Sequence, residues 1–590
     1  MDIKTQEAWE VWSSRHLEDS DLTDELNKIQ NKEAEIYDRF YRDLEFGTGG
    51  LRGIIGVGTN RMNIYTVGKA TQGYANYLKL EVNRGLSMPS VAIAYDSRIK
   101  SDIFARTAAE VLAANGITVH IYPELMPTPA LSFAVRHLEC SGGIVITASH
   151  NPAKYNGYKV YGSDGCQITT QAADGILEEI SKLDLFKDVK RMPWELAMQQ
   201  GLIHEIGEAT ITAYLDAVSA QSLCGGELID KNVSIVYTPL NGAGLKCVTA
   251  SLRDHGFTNI SVVAEQEMPD GNFPTCPYPN PEIRAALELG LRDAKRLGSD
   301  LLLATDPDCD RVGIAVRSGD DYVLLSGNEV GMLLLDYICK RRLALGQMPQ
   351  NPIFIKTIVT MDMAKRIAGD YGVQVIEVLT GFKFIGEQIG LLEMRGEEDR
   401  YIFGFEESYG YLTGAYVRDK DAVNGALMIC EMFAYYRTHG YSLLDVLNAL
   451  YAKYGYCLNT LHSYEFEGAE GFRTMQNIMN GFRSDAPVQF VGKNCISLSD
   501  YETSVTSYVD GHSDAIHLPK SNVLKFTLED NLSVVLRPSG TEPKLKLYFS
   551  VSAKDRETAK DLEARFVGEV ERIMQGTSED KVNIPPIGLH

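Results

Sequence analysis

The stretch from Gly142 to Lys159 does most to limit what this chain can fold into. Ile144, Val145 and Ile146 are an apolar, β-branched run that reads as a buried strand. It passes directly into Thr147-Ala148-Ser149-His150-Asn151-Pro152, a small and polar segment in which Pro152 biases Asn151 toward extended backbone. The Ser149 hydroxyl therefore sits at the mouth of a strand, with His150, Asn151 and Lys159 near it in sequence. In open α/β sheets, ligands bind beyond the carboxyl ends of the strands. An α/β fold with a loop-borne site is the expectation.

Length and composition narrow the class. At 590 residues the chain is too long for one core, and three to five domains are expected. Hydrophobic residues at 44% and charged residues at 23% fit a globular protein. A net charge of -22 argues against a nucleic-acid or anionic-membrane partner. Any site for an anionic phosphate must then be built from a local group of basic residues. The first residues are polar and charged, unlike a secretory signal, and no run nears the roughly 20 apolar residues of a membrane span. The 10 cysteines form no Cys-x-x-Cys pair, so a reduced, cytoplasmic protein without a zinc cluster is expected.

Read in order, the chain begins with a helical arm to about residue 40, in which Leu22, Leu26 and Ile29 share a face. A glycine-rich stretch, Phe46-Gly47-Thr48-Gly49-Gly50-Leu51-Arg52-Gly53, permits close backbone approach to a ligand, and the fork of Arg52 suits phosphate oxygens. Val91 to Tyr95 reads as a strand ending in Asp96-Ser97-Arg98, followed by a helix from Ser101 to Ala114. This first α/β unit closes near residue 205. In the second, Gly242-Ala243-Gly244 after a strand looks like a dinucleotide turn, but Cys247 holds the third glycine slot. Its last strand, Leu301 to Ala304, runs into Thr305-Asp306-Pro307-Asp308-Cys309-Asp310-Arg311. Three carboxylates at a spacing of two favour a hard divalent cation, and Arg311 in the glycine slot excludes an EF-hand.

A third unit carries Lys383 near a helix start, a position that can bind anions. Its strand Tyr401 to Phe403 opens into Gly404-Phe405-Glu406-Glu407-Ser408-Tyr409-Gly410, able to hydrogen-bond sugar hydroxyls. The last unit is expected to start after a loop near Thr474 to Asp485. Between two of its strands lies Arg537-Pro538-Ser539-Gly540-Thr541-Glu542-Pro543-Lys544. Hydroxyls, free backbone N–H groups and charge in one tight loop suit a phosphate monoester. The bounds expected are 1–205, 206–325, 326–465 and 466–590.

Thr147 to Pro152 resembles the active-site serine signature of the α-D-phosphohexomutase family, which includes phosphoglucomutase. The resemblance extends through the glycine-flanked Arg52, the Asp306–Arg311 loop, the Glu406-Glu407-Ser408 loop and the 537–544 loop, in the family's order. It implies four α/β domains around a central cleft, three of them similar mixed-sheet units and the C-terminal one smaller and α+β. Within the family, the long N-terminal arm and Phe-Glu-Glu-Ser-Tyr-Gly look most like the phosphoglucomutase and phosphopentomutase branch. Phe405 replaces the family's glycine before the acids, and Gly410 stands where dual-specificity phosphomannomutases have a histidine.

The implied reaction interconverts glucose 1-phosphate and glucose 6-phosphate through phosphorylated Ser149 and a glucose 1,6-bisphosphate intermediate, with the bisphosphate as activator. Pentose or mannose phosphates as substrates, or a bisphosphate synthase on the same scaffold, are the alternatives. The resemblance gives Ser149, Lys159 and Arg52 to catalysis, Lys159 as general acid/base, with His150 orienting the serine. It gives Mg2+ to Asp306, Asp308 and Asp310, with Ser149 completing the set. Sugar and phosphate contacts fall to Glu406, Glu407, Ser408, Lys383, Arg311, Arg537, Ser539, Gly540, Thr541 and Lys544. Oligomeric state is left open.

Overall fold

The computed structural model describes residues 2–47, 49–83, 88–466, 468–539 and 544–577. Thr48, Gly540 and Thr541 lie outside them, so the centre of the 537–544 loop is not described. By packing, the chain divides into two compact units. One is Met1–Ser326 with Phe382–Thr438, the other Gly327–Gly381 with His439–His590.

The first unit opens with helices Ile3–Ser13, Ser20–Ile29 and Glu33–Phe40, the first two capped by the Asp2 and Asp19 carboxylates. Trp12, Leu17, Leu22, Leu26, Ile29, Ile36, Phe40 and Val57 make a small core of their own. A seven-stranded mixed sheet follows, in the order Phe46–Gly47, Gly50–Ile54, Tyr155–Gly162, Gly142–Ile146, Ser90–Tyr95, Thr118–Ile121, Ile203–Glu205. Gly142–Ile146 runs parallel to Ser90–Tyr95 and antiparallel to Tyr155–Gly162. All five of its residues are buried, because the sheet is covered on both faces. A second sheet has Leu301–Thr305 parallel to Ile235–Thr238 and antiparallel to Val312–Ser318. Helix Phe382–Glu393, the hairpin Tyr401–Glu406 with Gly410–Leu412, and helix Ala422–Thr438 complete the unit.

In the second unit, strand Ile353–Thr357 lies parallel to Gln374–Val378, with helices Gly327–Ala344 and Met363–Asp370. Helix Leu443–Tyr454 starts at a capping box formed by Ser442 and Asp445. Beyond it is an antiparallel sheet centred on Lys544–Ala553, Ser533–Pro538 and Leu524–Leu528. Helices Gly468–Ser484 and Arg556–Thr577 pack on it.

Two expectations are corrected. Thr474 to Asp485 is not a loop: Gly468–Ser484 is a helix. Met475, Ile478, Met479 and Phe482 hold helical spacing and are fully buried, which overrides the poor propensity of the Asn and Gly residues between them. The strand expected to end at Phe403 continues to Glu406, so Gly404, Phe405 and Glu406 pair across a hairpin.

Candidate active site

The site is assembled at the carboxyl ends of two strands of the first unit. Gly142–Ile146 delivers Ser149, and Leu301–Thr305 delivers the aspartates. Ser149 has φ +52, a left-handed conformation that costs a non-glycine residue energy and persists only where surroundings enforce it. Its Oγ donates to Asp306 Oδ2 at 2.9 Å and lies 3.1 Å from His150 Nδ1. Burial, with the Arg311 and Arg52 cations nearby, pushes His150 well below the ordinary histidine range, so the ring is neutral at pH 7 and can accept from or donate to the serine.

Asp306, Asp308 and Asp310 are buried, and one carboxylate oxygen from each lies within 4.8 Å of the others. Asp306 Oδ1 accepts the backbone N–H groups of Asp310 and Arg311, which closes the loop around it. Thr128, at the start of helix Thr128–His137, donates its backbone N–H to Asp308 O and its hydroxyl to Asp308 Oδ2. Lys159 reaches Asp308 Oδ2 at 3.1 Å, and Lys420 reaches Asp310 Oδ2 at 2.7 Å. Burial and its two acidic neighbours raise Asp306 well above the carboxylate range. Burial works the same way on Asp308, but Lys159 and Lys420 outweigh it and hold that group low. Asp308 Oδ1 and both oxygens of Asp310 accept no directed hydrogen bond. Three converging hard oxygen donors with unmet capacity fit a divalent cation such as Mg2+.

The Gly242-Ala243-Gly244 turn serves this loop. A Cβ on Gly242 would meet Pro307 Cα at 2.4 Å, and one on Gly244 would meet Thr305 Oγ1 at 2.7 Å and Cys309 Sγ at 3.0 Å. The glycines let helix Gly244–Asp254 sit against the acidic loop, which is a packing role.

Lys159 lies on strand Tyr155–Gly162, one strand from the serine, and Arg52 stands opposite Gly157 on the neighbouring strand. The Glu406–Ser408 turn follows strand Tyr401–Glu406, and the Tyr409 carbonyl accepts Val312 N–H, which ties this turn to the strand after the acidic loop. Burial and Glu407 raise Glu406 to about 7 against the pull of Lys420. Arg311 pairs with Glu282, which occupies part of its fork. Lys383 is the second residue of its helix, and Cys166 Sγ donates to its carbonyl. Arg537, Ser539 and Lys544 belong to the second unit. There Ser539 N–H donates to Lys544 O, Arg537 reaches Tyr548 Oη at 3.5 Å and Lys544 pairs with Glu465 at 2.6 Å.

Lys420 escaped the sequence reading. It sits in Arg418-Asp419-Lys420-Asp421, four charged residues that are all buried. Arg418 binds Glu393, Asp419 accepts from Tyr161, and Asp421 accepts from Tyr214 and Tyr416. The signal available was its apolar flank on both sides, Ala415-Tyr416-Val417 and Ala422-Val423.

Family models describe the same chain in four consecutive segments. The phosphoglucomutase/phosphomannomutase α/β/α domains I, II and III match residues 43–187, 212–319 and 326–454, and the C-terminal domain matches 503–569. A Staphylococcus saprophyticus phosphoglucomutase is 36% identical over 89% of this chain and 94% of its own length. One from Staphylococcus epidermidis is 37% identical over 91% and 95%. Two solved structures share the fold. A phosphoglucomutase/phosphomannomutase family protein from Burkholderia thailandensis has a TM-score of 0.65 at 18% identity, over 92% of this chain and 98% of that one. The pp63/parafusin phosphoglucomutase from Paramecium, in an open form, has a TM-score of 0.65 at 18% identity, over 92% and 97%. The chain belongs to the phosphoglucomutase/phosphomannomutase family, a family of mutase enzymes, and has its four-domain α/β architecture. Among the described residues, no helix is long and apolar enough to cross a membrane.

Proposed function

We propose that the protein interconverts glucose 1-phosphate and glucose 6-phosphate, with Ser149 as the phosphoryl carrier. The observation that supports this most is the Ser149 hydroxyl, 2.9 Å from a carboxylate of a buried three-aspartate cluster. The glucose preference rests on the relatives named phosphoglucomutase. In the forward half-reaction the P–O bond of phosphoserine breaks and a P–O bond forms to the sugar hydroxyl, whose proton leaves to a base. The product is glucose 1,6-bisphosphate, which acts as activator when added. Its other phosphate then returns to Ser149.

Asp306, Asp308 and Asp310 would hold Mg2+, which when bound neutralises phosphate charge. Lys159, whose Nζ lies 3.1 Å from Asp308 Oδ2, is the general acid/base: its ammonium gives a proton to the departing serine oxygen, and the amine left behind takes the proton of the sugar hydroxyl. Neutral His150 orients Ser149 Oγ, and Arg52 adds positive charge beside them. Glu406, Glu407 and Ser408 bind sugar hydroxyls. Lys383 and Arg311 assist phosphate binding, and Arg537, Ser539 and Lys544, with Gly540 and Thr541, grip the phosphate that is not reacting.

The test is to incubate the enzyme with glucose 1,6-bisphosphate labelled in phosphorus and locate the label, then compare kcat/KM for the 1-phosphates of glucose, mannose and ribose. Label on Ser149 and the highest kcat/KM for glucose are expected. Label elsewhere ends the carrier role, and a higher value for mannose or ribose ends the glucose preference. Arg537→Ala is expected to raise KM for glucose 1-phosphate about 10- to 150-fold, since charged hydrogen bonds contribute roughly 1.5–3 kcal/mol each. An unchanged KM would move that loop out of phosphate binding.

A further inference from the structure

Asp96 and Arg98 follow strand Ser90–Tyr95, next to the strand that delivers Ser149. Their side chains are fully buried. The Arg98 guanidinium donates to four backbone carbonyls. Nη1 serves Pro152 O and Tyr155 O, both at 3.0 Å, while Nη2 serves Ser149 O at 2.6 Å and Asn151 O. Its remaining N–H, at Nε, faces Asp96 Oδ2 at 3.4 Å. The four terminal N–H groups are thus engaged inside the protein, while the buried Nε makes an ion-pair contact with Asp96 but no hydrogen bond, so no exposed N–H is left for a substrate.

Asp96 closes the circuit. Its Oδ2 accepts the Thr147 hydroxyl at 2.6 Å, and Thr147 Oγ1 in turn accepts the Ser149 N–H at 2.8 Å. Its Oδ1 accepts Arg98 N–H at 2.9 Å and the Ser101 hydroxyl at 2.8 Å. Both backbone polar groups of Ser149 are therefore gripped. The N–H is held through Thr147 and the carbonyl through Arg98, and both lines lead back to one carboxylate.

We propose that Asp96 and Arg98 are positioning residues for the reaction, a clamp that imposes the left-handed backbone of Ser149 and so keeps its Oγ on Asp306. The proposal rests on the reading of Ser149 as phosphoryl carrier. The clamp acts through the serine and not through the sugar. A planar fork is required, because a lysine ammonium has three donors and cannot serve four carbonyls at once. Small misplacements of a reacting group cost rate far more than binding.

The decisive experiment compares wild type with Arg98→Lys and Asp96→Asn, with Thr147→Val as a milder cut of the same circuit should either fail to fold. Each is expected to lower kcat about 10- to 100-fold with KM for glucose 1-phosphate within about threefold. Labelling of Ser149 by glucose 1,6-bisphosphate should slow by the same factor. Amide hydrogen exchange over residues 147–157 should quicken while the rest of the chain stays as in wild type. In Arg98→Ala, added guanidinium ion should restore part of kcat. A KM that climbs with the loss of kcat would make Arg98 a substrate contact and overturn the clamp. Wild-type kcat per folded molecule with only a lower Tm would reduce the pair to packing, and also overturn it. If wild-type Ser149 takes no label, the carrier reading falls. The exchange measurement still judges the clamp: protection over 147–157 unchanged in Arg98→Lys would end it.

Discussion

Each compact unit contains a cluster of paired charge, and these two are opposite in composition. In the first, three carboxylates (Asp306, Asp308, Asp310) face two lysines, Lys159 and Lys420. In the second, three lysines (Lys356, Lys365, Lys525) face two carboxylates, Asp362 and Glu377. The second is saturated. Lys356 donates to Asp362 at 3.1 Å and Glu377 at 2.9 Å, and Lys525 donates to the Ile358 carbonyl at 3.2 Å and Asp362 at 3.4 Å. The first keeps three carboxylate oxygens without a directed hydrogen bond. A closed ion network joins a helix start to strands. An open one reserves capacity for something that arrives later. Similar residues thus serve opposite ends, and the inventory of hydrogen bonds separates them where the residue types do not.

Ser149→Ala gives the largest effect. It removes the hydroxyl proposed to carry the phosphoryl group, so turnover should fall by about 10³-fold or more with Tm nearly unchanged. Wild-type turnover would deny the first cluster its chemistry. Asp308→Asn should come next, at about 10²–10³-fold in kcat/KM at fixed Mg2+, with exhaustive EDTA silencing the wild type. Full activity after metal removal would make the two clusters alike after all. Lys356→Met tests the other side. It strips Asp362 and Glu377 of a buried partner and should cost about 3–5 kcal/mol in denaturant unfolding. Activity per folded molecule should hold, and a loss of activity without a loss of stability would contradict a structural role.

The smallest effects are in pH, and their signs differ. Burial raises Glu406 from 4.5 to about 7, so the folded protein binds the extra proton and stability falls as pH rises through that window. Burial alone would raise Glu377 too, but Lys356, Lys525 and Lys365 outweigh it and bring it from 4.5 to about 2. Its stabilisation is therefore present above about pH 4.5 and is lost as pH falls toward 2. Each contributes at most about 3 kcal/mol. Unfolding free energies measured in EDTA across this range should flatten at the upper end in Glu406→Gln and at the lower end in Glu377→Gln. Unchanged slopes would remove the assignment.

Much of the first unit was legible in the sequence because its strands are short apolar runs that stop abruptly at chemistry-bearing loops. Ile144 to Ile146 and Leu301 to Ala304 announce both strand and site. The Asp-x-Asp-x-Asp spacing also carries its own physics, since like charges that close need a cation. Helix Gly468–Ser484 was hidden by its Asn and Gly residues, although Met475, Ile478, Met479 and Phe482 kept the period. Lys420 and Arg98 were hidden for another reason. A charged residue is normally read as solvated, and only the tertiary fold reveals that these are enclosed by carbonyls and carboxylates. Their value lies in long-range partners such as Asp310 and Ser149, which no local window contains.

The interleaving of the two units along the chain has a consequence for synthesis on the ribosome. The first unit includes Phe382–Thr438, so it cannot be finished when Ser326 emerges. Asp310 waits for Lys420, its partner at 2.7 Å, which lies about 110 residues downstream. At roughly 5–20 residues per second that is a delay of about 5–20 s. During it the nascent acidic loop lacks one of the two lysines that balance it, and Lys159, Thr128, Ser149 and sheet pairing hold it meanwhile. A divalent ion captured in that interval would stabilise the growing chain before there is any substrate to turn over.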